Sequence, residues 1–214
     1  MPDHAVNVSV VPALTGRNRL TVAFRPILAI PHLLLVGTPA AIGFTLGARS
    51  PGQSNVQWGA TTGVLGAVAG VCAIIAWFAI VFGSEYPAGL RSLALYYMRW
   101  RVRAAAYLAL LRDEYPPFGD AEYPASLDFE SRAGPRDRLS VAFRVFLLIP
   151  QFIAVWLIGV AWAITTIIAW VMVILTGRFP LSLYNFGVGA LRWSKRVEAY
   201  FLLLHDEYPP FSLS

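Results

Sequence analysis

The string Asp-Glu-Tyr-Pro-Pro-Phe occurs twice, at Asp113–Phe118 and at Asp206–Phe211. Neighbouring carboxylates at matched positions are the chain's first candidates for chemistry, as acid/base groups or as ligands for a hard cation. The same residues, Asp113, Glu114 and Tyr115 with Asp206, Glu207 and Tyr208, also read as a structural repeat motif that stops a helix. Proline cannot continue a helix, and the residue before it leaves the α region. Carboxylates at a helix C-terminus face an unfavourable dipole, so an arginine partner is expected. Arg99, Arg103, Arg192 and Arg196 are the candidates for that pairing across the repeat interface, and the structural pairing is the expectation.

Arg25 and Arg144 form a second matched pair, each one turn before an apolar run. Arginines so placed can snorkel to lipid phosphates, as general headgroup anchors or as a joint lipid-phosphate site between repeats. His32 aligns with Gln151 and stands alone, since His4 and His205 are too far off in sequence to give a metal-ligand spacing. The sequence holds no Gly-rich phosphate loop, no cysteine pair and no nucleophile–His–acid order. No catalytic residue, metal site or cofactor is expected.

The elements that must position these residues are duplicated. Arg19–Pro31 (RLTVAFRPILAIP) lies over Arg138–Pro150 (RLSVAFRVFLLIP) at an offset of 119, with nine of thirteen positions identical. Phe82–Phe118 lies over Leu175–Phe211 at an offset of 93, with fifteen of thirty-seven identical. The offsets differ by 26, so the first copy carries about 26 extra residues between its matching blocks. A repeat of this kind decides the fold before any finer reading.

Composition adds the setting. The chain of 214 residues is 57% hydrophobic with a net charge of +5. No Asp, Glu, Lys or Arg occurs over 26–48, 50–84 or 145–177, and a bilayer core takes roughly 20 apolar residues per helix. Of seventeen basic residues, all but Arg49 cluster in four blocks beside these runs, the placement that marks cytoplasmic flanks rather than a nucleic-acid-binding module. Cys72 is the single cysteine, so no internal disulfide can form.

The expected fold is therefore an all-α integral membrane protein of two tandem repeats, each a transmembrane helical hairpin followed by an amphipathic interfacial helix, with four spans. A polar lead (1–18), in which Val6, Val8 and Val10 alternate as in a short strand, precedes repeat 1 (19–118). Repeat 1 has spans at about 27–46 and 58–82 and an amphipathic helix at 88–111. An acidic, proline-containing linker (119–137) leads to repeat 2 (138–214), with spans at about 142–158 and 160–176, turning near Gly159, and an amphipathic helix at 181–204. A single span in repeat 2 is the alternative. In both amphipathic segments the apolar stripe is matched, from Leu90 to Leu111 and from Leu183 to Leu204, with arginines off it, as for a helix lying on anionic headgroups.

The paired RL-[TS]-VAFR…IP blocks, TGRFP at Thr176–Pro180 and the two DEYPPF endings make the chain similar to a family of bacterial membrane proteins, domain-of-unknown-function family 4389. Arg138–Phe211 resembles the family unit throughout, while the first copy departs from it through its insertion and through Glu85-Tyr86 in place of Arg178-Phe179. The resemblance implies a bacterial multi-span protein and no activity. The expectations are a non-enzymatic accessory or scaffold subunit of a larger complex in the bacterial cytoplasmic (inner) membrane, both termini cytoplasmic. Its partners would be membrane lipids, other membrane-protein subunits or a further copy of itself, and not nucleic acid. The alternative is a protein that handles anionic lipid or a lipophilic small molecule in an inter-repeat groove lined by Arg25, Arg144, Arg99 and Arg192.

Overall fold

A computed structural model describes residues 4–37, 63–83, 85–130 and 137–213, and the backbone of 43–48 and 54–59. In order the elements are β1 (Val6–Val10), α1 (Arg19–Ala23), α2 (Arg25–Leu28), α3 (Ile30–Val36), β2 (Gly43–Ala48) and β3 (Ser54–Gly59). Then come α4 (Gly63–Phe78), which runs on into a π-helical turn over Ala79–Gly83, α5 (Ala88–Leu108), β4 (Ala125–Phe129), α6 (Arg138–Ala142), α7 (Arg144–Thr176) and α8 (Leu181–Phe201). Asn18 and Asp137 occupy equivalent positions, and each caps the helix that follows by accepting two backbone N–H groups, those of Leu20 and Thr21 and those of Leu139 and Ser140. Such caps satisfy donors that a helix N-terminus leaves without partners.

The hairpin expected in repeat 2 does not form. α7 is one helix of 33 residues, with Pro150 in its second turn. Arg144, Leu148, Gln151, Gly159, Trp162, Ala169 and Val173 are its buried positions. Their spacing follows the helical repeat from one end to the other, so a single packed stripe needs a single helix. Gly159 lies on that stripe, and a glycine inside a helix costs only about 1 kcal/mol against alanine, too little to turn the chain without polar turn residues around it.

In repeat 1 the span expected over 27–46 is likewise replaced. α3 stops at Gly37, whose φ is 77°, and 43–48 is a strand paired antiparallel with 54–59, where a loop and the start of a second span were expected. The helix resumes at Gly63. A Cβ on Gly63 would lie 2.5 Å from the carbonyl carbon and oxygen of Leu35, and the φ of Gly63 is +66°. The chain therefore returns to the point where it left. At the 119 offset Val36 matches Val155, and at the 93 offset Gly63 matches Trp156, so residues 37–62 account for all 26 extra residues. They interrupt a helix that α7 keeps whole. Two helices, Gly63–Gly83 and Arg144–Thr176, are long and apolar enough to cross a membrane.

A pseudo-twofold axis relates the repeats. β1 and β4 stand 119 residues apart and pair with each other, antiparallel, in the register Val6↔Phe129, Val8↔Leu127, Val10↔Ala125. Val8 and Leu127 are equivalent, so the axis passes between them. The 119–137 segment is thus not wholly linker, because it contains the first strand of repeat 2. The same symmetry appears among the helices. Trp77 donates its indole N–H to the Val141 carbonyl (3.0 Å), and its equivalent Trp170 donates to the Val22 carbonyl (2.9 Å). Each repeat's lead-in helix is held by the other repeat's long helix, an isologous arrangement.

α5 and α8 form the centre. Tyr97, Met98 and Trp100 on α5 and Tyr184 and Leu191 on α8 belong to the main core with Val6, Val8, Leu127 and Trp162, and Trp193 and Tyr200 on α8 pack with Leu148 in a separate cluster. They are not interfacial helices with arginines turned outward; Arg101 and Arg103 are buried. Joining Val36 directly to Gly63 should restore a continuous helix in register with α7. A variant lacking 37–62 is expected to fold with its helical circular-dichroism signal per molecule intact and an undiminished thermal midpoint in detergent. A molten or aggregated product would refute this account of the insertion.

Candidate functional site

The site is built at the ends of α5 and α8, where the matched residues gather. Both helices end in a Schellman motif. The N–H of Leu110 bonds to the Tyr107 carbonyl and that of Leu111 to the Ala106 carbonyl, and Leu203 and Leu204 repeat this with Tyr200 and Ala199. The left-handed residue of such a motif is usually glycine. Here it is leucine, with φ of 62° at Leu110 and 60° at Leu203, a conformation costing roughly 1–2 kcal/mol. Both leucine side chains are buried, which glycine could not provide.

Arg25 closes the first of these helix ends. Its Nη1 donates to the carbonyls of Tyr107 (3.1 Å) and Arg112 (2.8 Å), and its Nη2 to the Asp113 carboxylate (2.6 Å). Its guanidinium lies 4.4 Å from the centre of the Tyr107 ring. Arg144 does the same in repeat 2, donating to the carbonyls of Tyr200 (3.2 Å) and His205 (2.9 Å) and to Asp206 (2.7 Å), 4.2 Å from the Tyr200 ring. Only 1% of Arg25 and 2% of Arg144 is exposed. A cation here meets the negative end of the helix dipole, carbonyls that lack helical partners and an aromatic face at once.

Asp113 and Asp206 therefore do have arginine partners, but within each repeat, on α2 and at the start of α7, rather than across the interface. Arg17 adds a second contact to Asp113 at 2.7 Å and donates to the Leu110 carbonyl at 2.6 Å. Glu114 pairs with Arg112, which holds its carboxyl below the usual range although burial opposes this. Tyr115 packs on His32 (4.9 Å) and Tyr107 (5.5 Å), and Tyr208 on Tyr200 (5.8 Å) and Phe211 (6.2 Å). Glu207 is exposed. The alignment of His32 with Gln151 also has a structural meaning. His32 Nδ1 accepts from the Trp100 indole (3.1 Å), while Gln151 Oε1 accepts from Trp193 (3.0 Å) and Gln151 Nε2 donates to the Pro209 carbonyl (2.6 Å).

The other arginines are dispersed. Arg99 is exposed; Arg103 bonds the Gly119 carbonyl and lies 3.7 Å from Asp120; Arg192 donates to the Val8 carbonyl at 3.0 Å; Arg196 is half-buried. A groove lined jointly by Arg25, Arg144, Arg99 and Arg192 is not what they form. An apolar cavity of about 360 Å³ does lie between the repeats, walled by Arg25, Pro26, Leu108 and Leu110 on one side and Thr166, Ile167 and Trp170 on the other. Among the described residues no three His, Cys, Asp or Glu side chains gather as a metal site.

One cluster was not anticipated. Between α5 and α8, Glu198 pairs with Arg101 and with Lys195 Nζ (2.6 Å), and Arg101 also donates to the Tyr97 hydroxyl (2.7 Å). Burial favours the neutral form of Glu198, yet the two cations outweigh it and hold its carboxyl below the usual carboxylate range; burial, then Arg101, bring the pKa of the Lys195 ammonium below its ordinary value. None of the three charges has a charged equivalent in the other repeat, where Ser194, Val102 and Ala105 stand. A signal existed: Lys195 is the only lysine, and Glu198 the only acidic residue between Arg138 and His205, one helical turn away.

Two outcomes test this assignment. Arg144→Met leaves two buried carbonyls and the partly exposed Asp206 without this arginine and should cost about 3–5 kcal/mol, whereas Arg99→Met should stay within about 0.5 kcal/mol, both read from denaturant unfolding in detergent. The second concerns pH. Burial, with His4 and Arg144 nearby, pushes His205 down to about 4 from its ordinary 6.5. The unfolded chain then binds more protons than the folded one between these values, so stability falls as pH drops from 6.5 towards 4. His205→Gln should flatten the thermal midpoint's decline between pH 6.5 and 4.5; below that range Glu198 and Glu114, whose folded values are lowered, add a further loss of stability as the unfolded chain takes up their protons first.

No curated protein and no solved structure matches this chain. The family match covers residues 56–119 and 138–212. Its first segment begins within β3, inside the insertion, and leaves out the lead-in block Arg19–Pro31, while the second includes the equivalent block whole. Most of the chain is matched, in two tandem copies that the structure relates by a twofold axis, and it belongs to the family described as Domain of unknown function (DUF4389).

Proposed function

We propose that this protein is a non-enzymatic, membrane-resident accessory or scaffold subunit of a larger complex in the bacterial inner membrane. The observation that carries the reading is the contrast between its charges and its surface. Arg25, Arg144, Arg17 and Lys195 have internal partners, so these buried basic positions present no reacting or ligand-binding group. The long helices instead turn large apolar side chains outward: Ile74, Phe78 and Phe82 on one, Phe146, Trp156 and Ile167 on the other, all roughly half exposed or more. Surfaces of that size mark contact with lipid or protein. Native mass spectrometry of the protein extracted from its own membrane in gentle detergent should show it bound to unrelated polypeptides in fixed ratio.

A second reading has the inter-repeat cavity in its favour. Its size falls in the range of small-ligand sites and its walls are almost wholly apolar, which suits a lipid chain or another lipophile. If the protein flies alone, or as a homo-oligomer with defined lipid adducts, this lipid-handling reading replaces the scaffold. Ile167→Trp would fill the cavity and should then remove the adduct.

A further inference from the structure

The symmetry of the fold bears on how the apolar helices meet a membrane. α8 is sandwiched. Tyr184 donates to the Val10 carbonyl and Arg192 to the Val8 carbonyl, so positions 184, 188 and 192 face the β1–β4 ladder. Trp193 and Tyr200 meet Gln151 and Arg144 of α7. At 3.6 residues per turn these two sets lie on different faces of the helix, centred about 130° apart. The pseudo-twofold axis carries the arrangement to α5. The molecule is thus layered along its axis, with the ladder at one pole, α5 and α8 in the middle and the long helices at the other.

The long helices run antiparallel. The lead-in to the first, α1, lies by the end of α7, where Val22 accepts from Trp170 and the Arg17 N–H reaches the Gly177 carbonyl; α6, the lead-in to α7, lies by the end of the first, where Val141 accepts from Trp77. Were both helices to cross a bilayer, the axis would lie in the membrane plane at mid-depth. The ladder, which sits on the axis, would lie there too. Its outer face exposes Asn7, Ser9 and Asp128, and a two-stranded ladder has edges with unpaired backbone groups, which hydrocarbon does not tolerate. Length argues the same way. Exposed apolar residues run along α7 from Val145 to Leu175, roughly 45 Å at about 1.5 Å per residue, against a core of about 30 Å. Fitting one into the other takes a tilt of roughly 50°, beyond the range of about 0–40° seen for membrane helices.

The geometry points to a monotopic mode of binding: α4 and α7 lie in the plane of one leaflet, with the axis along the bilayer normal and the ladder facing water. The occupant of the apolar pole is the outer part of a single phospholipid leaflet. The lead-in helices extend that contact symmetrically, because Leu20 and Leu139 are 72% and 73% exposed and Phe24 and Phe143 57% and 58%. Exposed Arg19 and Arg138 precede those leucines, suiting anionic headgroups. This inference rests on the membrane residence proposed above and replaces a bilayer-crossing topology.

Glu85 and Arg178 are exposed, equivalent, and at opposite ends of the long helices, so they report the two arrangements. In a Cys72→Ala background, Glu85→Cys and Arg178→Cys are introduced singly into the full chain. A membrane-impermeant maleimide is applied to right-side-out and inverted vesicles, with total labelling in detergent as reference. The in-plane arrangement predicts that both thiols react in the same vesicle orientation and are protected in the other. Reaction in opposite orientations means that the helices cross and overturns the inference, while membrane residence stands. A chain recovered in the soluble fraction sinks both.

Discussion

Everything in the fold leans on one arginine per repeat, held against the C-terminus of a helix. A helix end presents carbonyls without helical partners and a partial negative charge, and burying it in a core this apolar leaves few ways to satisfy them. Arg25 and Arg144 each bring a planar group of donors and place three hydrogen bonds on two carbonyls and a carboxylate. That closure lets the chain turn through a left-handed leucine and lets the Tyr-Pro-Pro-Phe segment fold back on the helix that bears the arginine. The carboxylate is there for the cation. Buried charges are tolerated when paired and hydrogen-bonded, and removing one partner is far more costly than the pair is stabilising.

The second constraint is the axis. Two copies of one unit share a two-stranded ladder, exchange lead-in helices and bury the same faces of α5 and α8. None of these contacts exists within a single copy, since a lone strand has no partner and a lone lead-in helix no tryptophan to receive. The family unit is thus half of a structure, and tandem duplication places both halves in one chain. The insertion fits the same logic. It leaves the long helix between Val36 and Gly63 and returns to the same point, so the packing stripe on either side is unaffected, as loops inserted at a closed pair of ends generally allow.

Much of this was legible. The repeat, its two offsets and the 26-residue difference come straight from the letters, and the pairing of Asp113 and Asp206 with arginines followed from the helix dipole. The choice of arginine went astray because sequence spacing ranks neighbours on the same helix or its mate, whereas Arg25 and Arg144 arrive through the hairpin fold from 88 and 62 residues away. The hairpin in repeat 2 rested on an argument about which membrane side each basic block should occupy. Such sidedness presupposes flanking arginines outside the fold, and here Arg17, Arg25, Arg103 and Arg144 are inside it. Apolar windows likewise could not distinguish a span from a strand pair over 43–59, because both are short of charge.

The buried Arg101–Glu198–Lys195 cluster shows what fusing the copies permits. In a symmetric dimer of identical units every side chain near the axis meets its own copy or its copy's neighbours, and any substitution appears twice. In this chain Arg101 stands where the other copy has Ser194, and Glu198 where the other copy has Ala105, so one copy contributes a guanidinium and the other a carboxylate. Exchanging the copies would separate these charges and leave them desolvated. A buried ion pair adds little net stability over apolar packing, but it penalises every arrangement that breaks it. The cluster therefore acts on choice of partner, favouring the α5–α8 contact between unlike repeats of one chain over contacts between like repeats of two. The shared arginine clamp builds each half, and the charges that the halves do not share set which half meets which.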